Sequence, residues 1–154
     1  MSVPADPPGS NAPFGHSIFC EDIRNEIGDK FTYVGVVSGV IALESFPALL
    51  PKFAVAITYN QPRNKYRKST NLKILFAPDG GDEENPVILF DTNLDIPDGS
   101  EILKPENGIL SAEARLVISP LQLAGPGRVK VRAYFPDQQP VMLGSIQFRQ
   151  SDQG

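Results

Sequence analysis

Lys52-Phe53-Ala54-Val55-Ala56-Ile57-Thr58-Tyr59-Asn60 alternates without a break. Phe53, Val55, Ile57 and Tyr59 point one way, and Ala54, Ala56 and Thr58 point the other. A period of two residues belongs to an extended chain, whose successive side chains leave opposite faces. The segment therefore reads as a half-buried strand. Its β-branched and aromatic residues suit a pleated surface packed on one side.

The same reading extends toward the C-terminus. Residues 61–64 form a turn. A strand over 69–77 places Leu72, Ile74 and Phe76 on one face, and the Pro- and Gly-rich segment 78–86 is a loop. Strand character resumes over 87–90, and 91–108 is polar and turn-rich. Alternation returns over 111–119, and 121–123 extends it past Pro120. After Gly125-Pro126-Gly127, residues 128–135 send Val129, Val131, Ala133 and Phe135 inward. Arg128, Lys130, Arg132 and Tyr134 point outward. With 141–149, in which Ile146 and Phe148 are core candidates, this makes a terminal antiparallel hairpin.

Toward the N-terminus, 46–51 is an apolar connection interrupted by Pro47 and Pro51. Strands are expected over 40–44, 30–37 and 16–20, with Gly35 and Gly39 marking bulges or close backbone approaches. Between the last two lies a charged corner, 21–29, in which Gly28 is free to take positive φ. Residues 1–15 are Pro-rich and are expected to form a flexible tail, with Phe14 able to dock on the domain. The domain then spans 16–149, and 150–154 is a second tail. The expected fold is all-β: a single antiparallel β-sandwich of immunoglobulin-like or C2-like type with seven to nine strands.

Composition agrees with this. The chain has 154 residues, enough for one domain with a core that needs no metal or disulfide staple. Its 13 glycines and 15 prolines exceed ordinary usage of about 12% and call for many turns. The net charge of −4 disfavours non-specific nucleic-acid binding. Lys65-Tyr66-Arg67-Lys68 reads as a solvated hairpin end. The single cysteine, Cys20, excludes an internal disulfide. No secretory signal and no apolar run long enough for a membrane span are seen, so the expected location is the cytoplasm.

Three groups of residues carry chemistry worth weighing. The corner supplies Cys20, Glu21, Asp22, Arg24, Glu26 and Lys30. Its carboxylates suit acid–base work if they face a cleft. With Arg24 and Lys30 as partners they suit an ion-paired corner, in which Arg24 reaches carbonyls of a neighbouring strand. Asp91-Thr92-Asn93-Leu94-Asp95 has the first three ligand positions of a calcium loop, but Ile96 and Ile102 stand where Gly and Glu belong. A calcium site of another kind would draw on Asp91, Asn93, Asp95 and Asp98, with Asp82, Glu83 or Glu84 nearby. His16 and Cys20 share a strand face about 13 Å apart, too far to pair. No nucleophile elbow, phosphate loop, dinucleotide fingerprint or zinc spacing occurs.

The corner resembles a bacterial domain family of unknown function. The resemblance rests on Phe19-Cys20-Glu21-Asp22-Ile23-Arg24, Glu26, Gly28, Lys30 and Val34-Gly35-Val36. It continues through Phe46-Pro47, Leu50-Pro51 and the terminal hairpin. It implies one compact domain and transfers no catalytic residue. The expected function is a non-catalytic protein-binding or assembly module, with another protein or a second copy as partner. The alternative is a calcium-dependent ligand- or membrane-binding sandwich using the acidic loops. An enzyme built on the carboxylates is the third reading.

Overall fold

A computed structural model of the chain describes residues 12–81, 85–96, 108–136 and 138–152. Twelve strands follow in order: β1 (Phe14–Cys20), β2 (Asp22–Glu26), β3 (Lys30–Val34), β4 (Val40–Leu43), β5 (Ala48–Leu50), β6 (Phe53–Pro62), β7 (Ser69–Pro78), β8 (Val87–Asp95), β9 (Ile109–Ile118), β10 (Leu121–Leu123), β11 (Gly127–Tyr134) and β12 (Val141–Gln150). Eight of them build two main sheets. One is three-stranded in the order β1-β6-β9. The other is five-stranded in the order β4-β12-β11-β7-β8. The remaining four form two short pairs, β2 with β3 and β5 with β10. Sheet pairing is antiparallel except between β4 and β12, which run parallel.

The alternation of β6 produces the core. Val55, Ile57 and Tyr59 from the smaller sheet share one buried cluster with Leu72, Ile74 and Phe76 of β7, Val129, Val131 and Ala133 of β11, and Leu143, Ile146 and Phe148 of β12. Phe53 bridges the layers, with Phe19 stacked on one side and Phe148 edge-on at 5.6 Å. Each large side chain buried in this way contributes about 1.5–3 kcal/mol. Two inward-facing sheets around one core define an all-β sandwich.

Several boundaries differ from the sequence expectation, each for a tertiary reason. Ala54 and Ala56, expected on an open face, are buried because the β2–β3 hairpin lies over that side of β6. β1 starts at Phe14, two residues before the expected strand, because it pairs with β6 from Phe14↔Asn60 onward. β6 runs to Pro62 through the expected turn, since β9 continues the ladder to Pro62↔Ile109. The polar stretch 91–95 is strand, held by β7 from Lys73↔Asp91 to Ser69↔Asp95. The corner is itself a strand, β2, which folds back on β3. Residues 121–123 pair with β5 rather than prolonging β9. The expected tail before Phe14 lies largely outside the described residues, and so do Asp98 and the acidic loop 82–84.

Candidate functional site

The corner sits where β1 passes into β2. Glu21 links the two strands, and its N–H donates to the Val34 carbonyl at 2.9 Å. The Val37 N–H donates to the Phe19 carbonyl at 2.9 Å, so β1 is flanked by the chain returning from β3. Gly35 takes φ +67°, and a Cβ there would lie 2.7 Å from the Glu21 side chain. The group that crowds this glycine is the Glu21 side chain rather than the backbone expected to approach there.

Asp22 is the hub of the corner. Its Oδ1 accepts the Ile23 N–H at 2.9 Å. Its Oδ2 lies 3.7 Å from Lys52 Nζ and 4.0 Å from Arg24 Nε. Lys52 stands immediately before β6, so this ion pair ties the hairpin to the start of the core strand. The Arg24 side chain is two-thirds exposed and reaches no carbonyl among the described residues, contrary to its expected clamping role. Lys52 was not singled out in the sequence, because only the packing of the hairpin over β6 brings it near Asp22.

The other corner residues divide between support and exposure. Cys20 is buried, and its Sγ donates to the Asp22 carbonyl at 3.4 Å. Burial, with the neighbouring Asp22 carboxylate adding to it, pushes its thiol pKa up, against a smaller opposing effect of the Asp22 backbone. Glu26 accepts from the Thr32 hydroxyl across the hairpin at 3.1 Å. Lys30 pairs in register with Glu26, and its side chain makes no ion pair among the described residues. Gly28 and Asp29 both take positive φ at the hairpin tip. Ile27, beside them, is 97% exposed.

Arg115 of β9 anchors the hairpin body. Its guanidinium lies 3.6 Å from the centre of the Phe31 ring. Nε donates to the Tyr33 hydroxyl at 3.2 Å, and a second nitrogen pairs with Glu113 at 2.6 Å. Burial opposes the charge, but the bonds to Tyr33 and Glu113 outweigh it and leave the pKa above the ordinary arginine value. Nothing in the alternating stretch 111–119 sets Arg115 apart, because its partners Phe31 and Tyr33 are brought to it only by the packing of the hairpin.

These elements enclose an open cleft of about 490 Å³. Glu21, Asp22, Arg24 and Lys52 line it with charge, and Val34, Leu50 and Pro51 give it an apolar wall. Both signs of charge beside an apolar wall suit a peptide segment or loop that offers a charged group and an aliphatic one together. A second groove, of about 550 Å³, lies beside the β5–β10 pair and is lined by Pro47, Ala48, Leu49, Gln122, Leu123 and Ala124.

The proposed calcium ligands stand elsewhere. Asp91, Asn93 and Asp95 lie on one face of β8 rather than on a loop. The Asn71 side-chain amide of β7 donates to Asp91 Oδ1 at 2.7 Å, to Asn93 Oδ1 at 3.2 Å and to the Thr92 carbonyl at 3.2 Å. An N–H donor thus faces the oxygens that a cation would need. Among the described residues no group of three or more His, Cys, Asp or Glu side chains has metal-binding geometry. His16 is exposed at its register position opposite Thr58, while Cys20 is buried opposite Ala54, so the two are not brought together.

The fold and site define an all-β sandwich with a charged, apolar-walled corner cleft. No protein-family model, curated protein or solved structure matches the chain. No helix among the described residues is long and apolar enough to cross a membrane.

Proposed function

We propose that this chain is a non-catalytic protein-binding or assembly module, which grips a partner protein or a second copy through the β2–β3 hairpin and the corner cleft beside it. The observation that carries this reading is the hairpin itself. Its body is held to the sheet by Arg115 through Phe31 and Tyr33, while its tip holds Ile27 almost fully in solvent. An apolar side chain on a fixed support is the usual anchor of an interface, because little further ordering is needed when it is buried. The cleft supplies charged groups of both signs for orientation. The resemblance of the corner to a bacterial domain family of unknown function is compatible with this reading and adds no activity to it.

The test compares wild type with Ile27→Asp. The tip has no packing to lose, so both should melt at the same temperature. Light scattering after size exclusion and affinity capture from the native host should then show a defined oligomer or a reproducible partner for wild type that Ile27→Asp loses. A wild type that is monomeric and captures nothing, or a variant that retains its partner, refutes the reading.

A further inference from the structure

The outer face of the five-stranded sheet carries a second feature, separate from the corner. On β11, Arg128, Lys130 and Arg132 alternate outward while Val129, Val131 and Ala133 fill the core. Successive members of such a column stand about 6.4–6.8 Å apart. Like charges in a row repel, and folded chains ordinarily place acids beside them. Here none of the three forms an ion pair among the described residues. Arg128 donates to Ser145 Oγ at 3.1 Å and Gln147 Oε1 at 3.3 Å, both neutral. Arg132 is half-buried and donates to the Val131 carbonyl. Lys130 has no side-chain hydrogen bond or ion pair among the described residues. On the neighbouring β7, Lys73 lies 5.0 Å from the centre of the Tyr134 ring.

The surroundings narrow the choice of ligand. Met142, opposite Arg132 in register, is 74% exposed, and Ile88, in the row of Lys130 across β7, is 55% exposed. Met142 thus stands directly beside the column, and Ile88 lies one strand further out, beyond Leu75 of β7. Stacking of nucleic-acid bases needs free aromatic faces, and Tyr134 already has Lys73 over its ring. The net charge of −4 also opposes a long polyanion more than a short acidic segment. Asp91 at the β8 edge of the face limits the positive strip to the width of one extended chain.

We infer that this face is a docking surface for an extended acidic peptide segment. Its alternate carboxylates would meet Arg128, Lys130 and Arg132, and its aliphatic side chains would meet Met142 and Ile88. The spacing of alternate side chains along an extended peptide equals that of the column. A carboxylate supplies the half-buried guanidinium of Arg132 with the counter-charge that it lacks among the described residues.

The experiment is fluorescence anisotropy with a labelled alternating Glu-Val-Glu-Ser peptide long enough to span the column. A single-stranded oligonucleotide and anionic lipid vesicles serve as competing probes. Wild type should bind the peptide, weaken as salt rises from ~0.05 to ~0.3 M, and prefer it to both competitors. Arg128→Glu with Lys130→Glu should weaken binding at least about tenfold at low salt, and Lys130→Gln alone should weaken it less. A charge reversal at the exposed Lys65, between β6 and β7 and outside both the column and the corner, should leave it unchanged. An unchanged melting temperature for Lys130→Gln separates lost binding from lost fold. Absence of peptide binding, equal binding by the doubly reversed variant, or tighter binding of the oligonucleotide or vesicles overturns the inference.

Discussion

Replacing Gly15 by Ala should cost far more than its position beside a Pro-rich tail suggests. A Cβ built on Gly15 would overlap the Thr58 carbonyl oxygen of β6 and lie 2.7 Å from Leu143 Cδ2 of β12. The carbonyl belongs to the ladder at the centre of the smaller sheet and cannot turn aside. Leu143 is buried at the bulge of β12, where the register shifts beside Val131. β1 must therefore retreat by on the order of 1 Å, a displacement of the overpacking kind that costs about 1–3 kcal/mol. The retreat also stretches the bond from the Ser17 hydroxyl to the Leu143 carbonyl, now 2.7 Å, which contributes about 1 kcal/mol. The sum is about 2–4 kcal/mol, or a fall in Tm of about 5–15 °C for a chain of this length. Urea titration followed by circular dichroism measures it. Gly125→Ala is the control: its Cβ would meet nothing within 4 Å, and stability should stay within about 0.5 kcal/mol of wild type. If Gly15→Ala also stays within about 0.5 kcal/mol, β1 does not close the junction between the sheets in the way described.

Three further outcomes follow from the corner and the core. Arg24→Ala should leave Tm within about 1–2 °C of wild type, because its side chain is largely exposed and its ion pair with Asp22 is at 4.0 Å. Asp22→Ala should lower Tm further, since it frees the Ile23 N–H and the Lys52 ammonium together; equal melting curves for the two variants would remove Asp22 as hub. Tyr59 is buried, donates to Gln61 Oε1 at 3.2 Å, and has its pKa pushed by burial up to about 12 from 10. A phenol pKa raised by folding gives stability that is full below about pH 10 and is lost as pH rises through about 12, a total of about 2–3 kcal/mol. Urea midpoints measured across that alkaline range should fall in wild type and fall less in Tyr59→Phe; parallel curves would show that Tyr59 ionises as readily folded as unfolded.

The pattern of period two in Phe53-Val55-Ile57-Tyr59, Leu72-Ile74-Phe76 and Val129-Val131-Ala133 was enough to determine an all-β chain and most of its core. Alternation is a local property: each residue reports its face through its neighbours two positions away. The outward column Arg128, Lys130 and Arg132 was legible for the same reason. What lay beyond reach depended on pairing at long range. Gln61 looks like a turn residue, yet it is buried, because its amide donates to the Arg67 carbonyl at 3.0 Å while its oxygen accepts from Tyr59. Asp91, Asn93 and Asp95 look like loop ligands, yet β7 recruits them into a strand and meets them with the Asn71 amide. Ala54 and Ala56 look open to solvent until the hairpin covers them, and Asp22 finds Lys52 only when it does so. Side-chain alternation is written in the chain; which strand lies beside which, and so which charges meet, is decided by burial of the whole core at once.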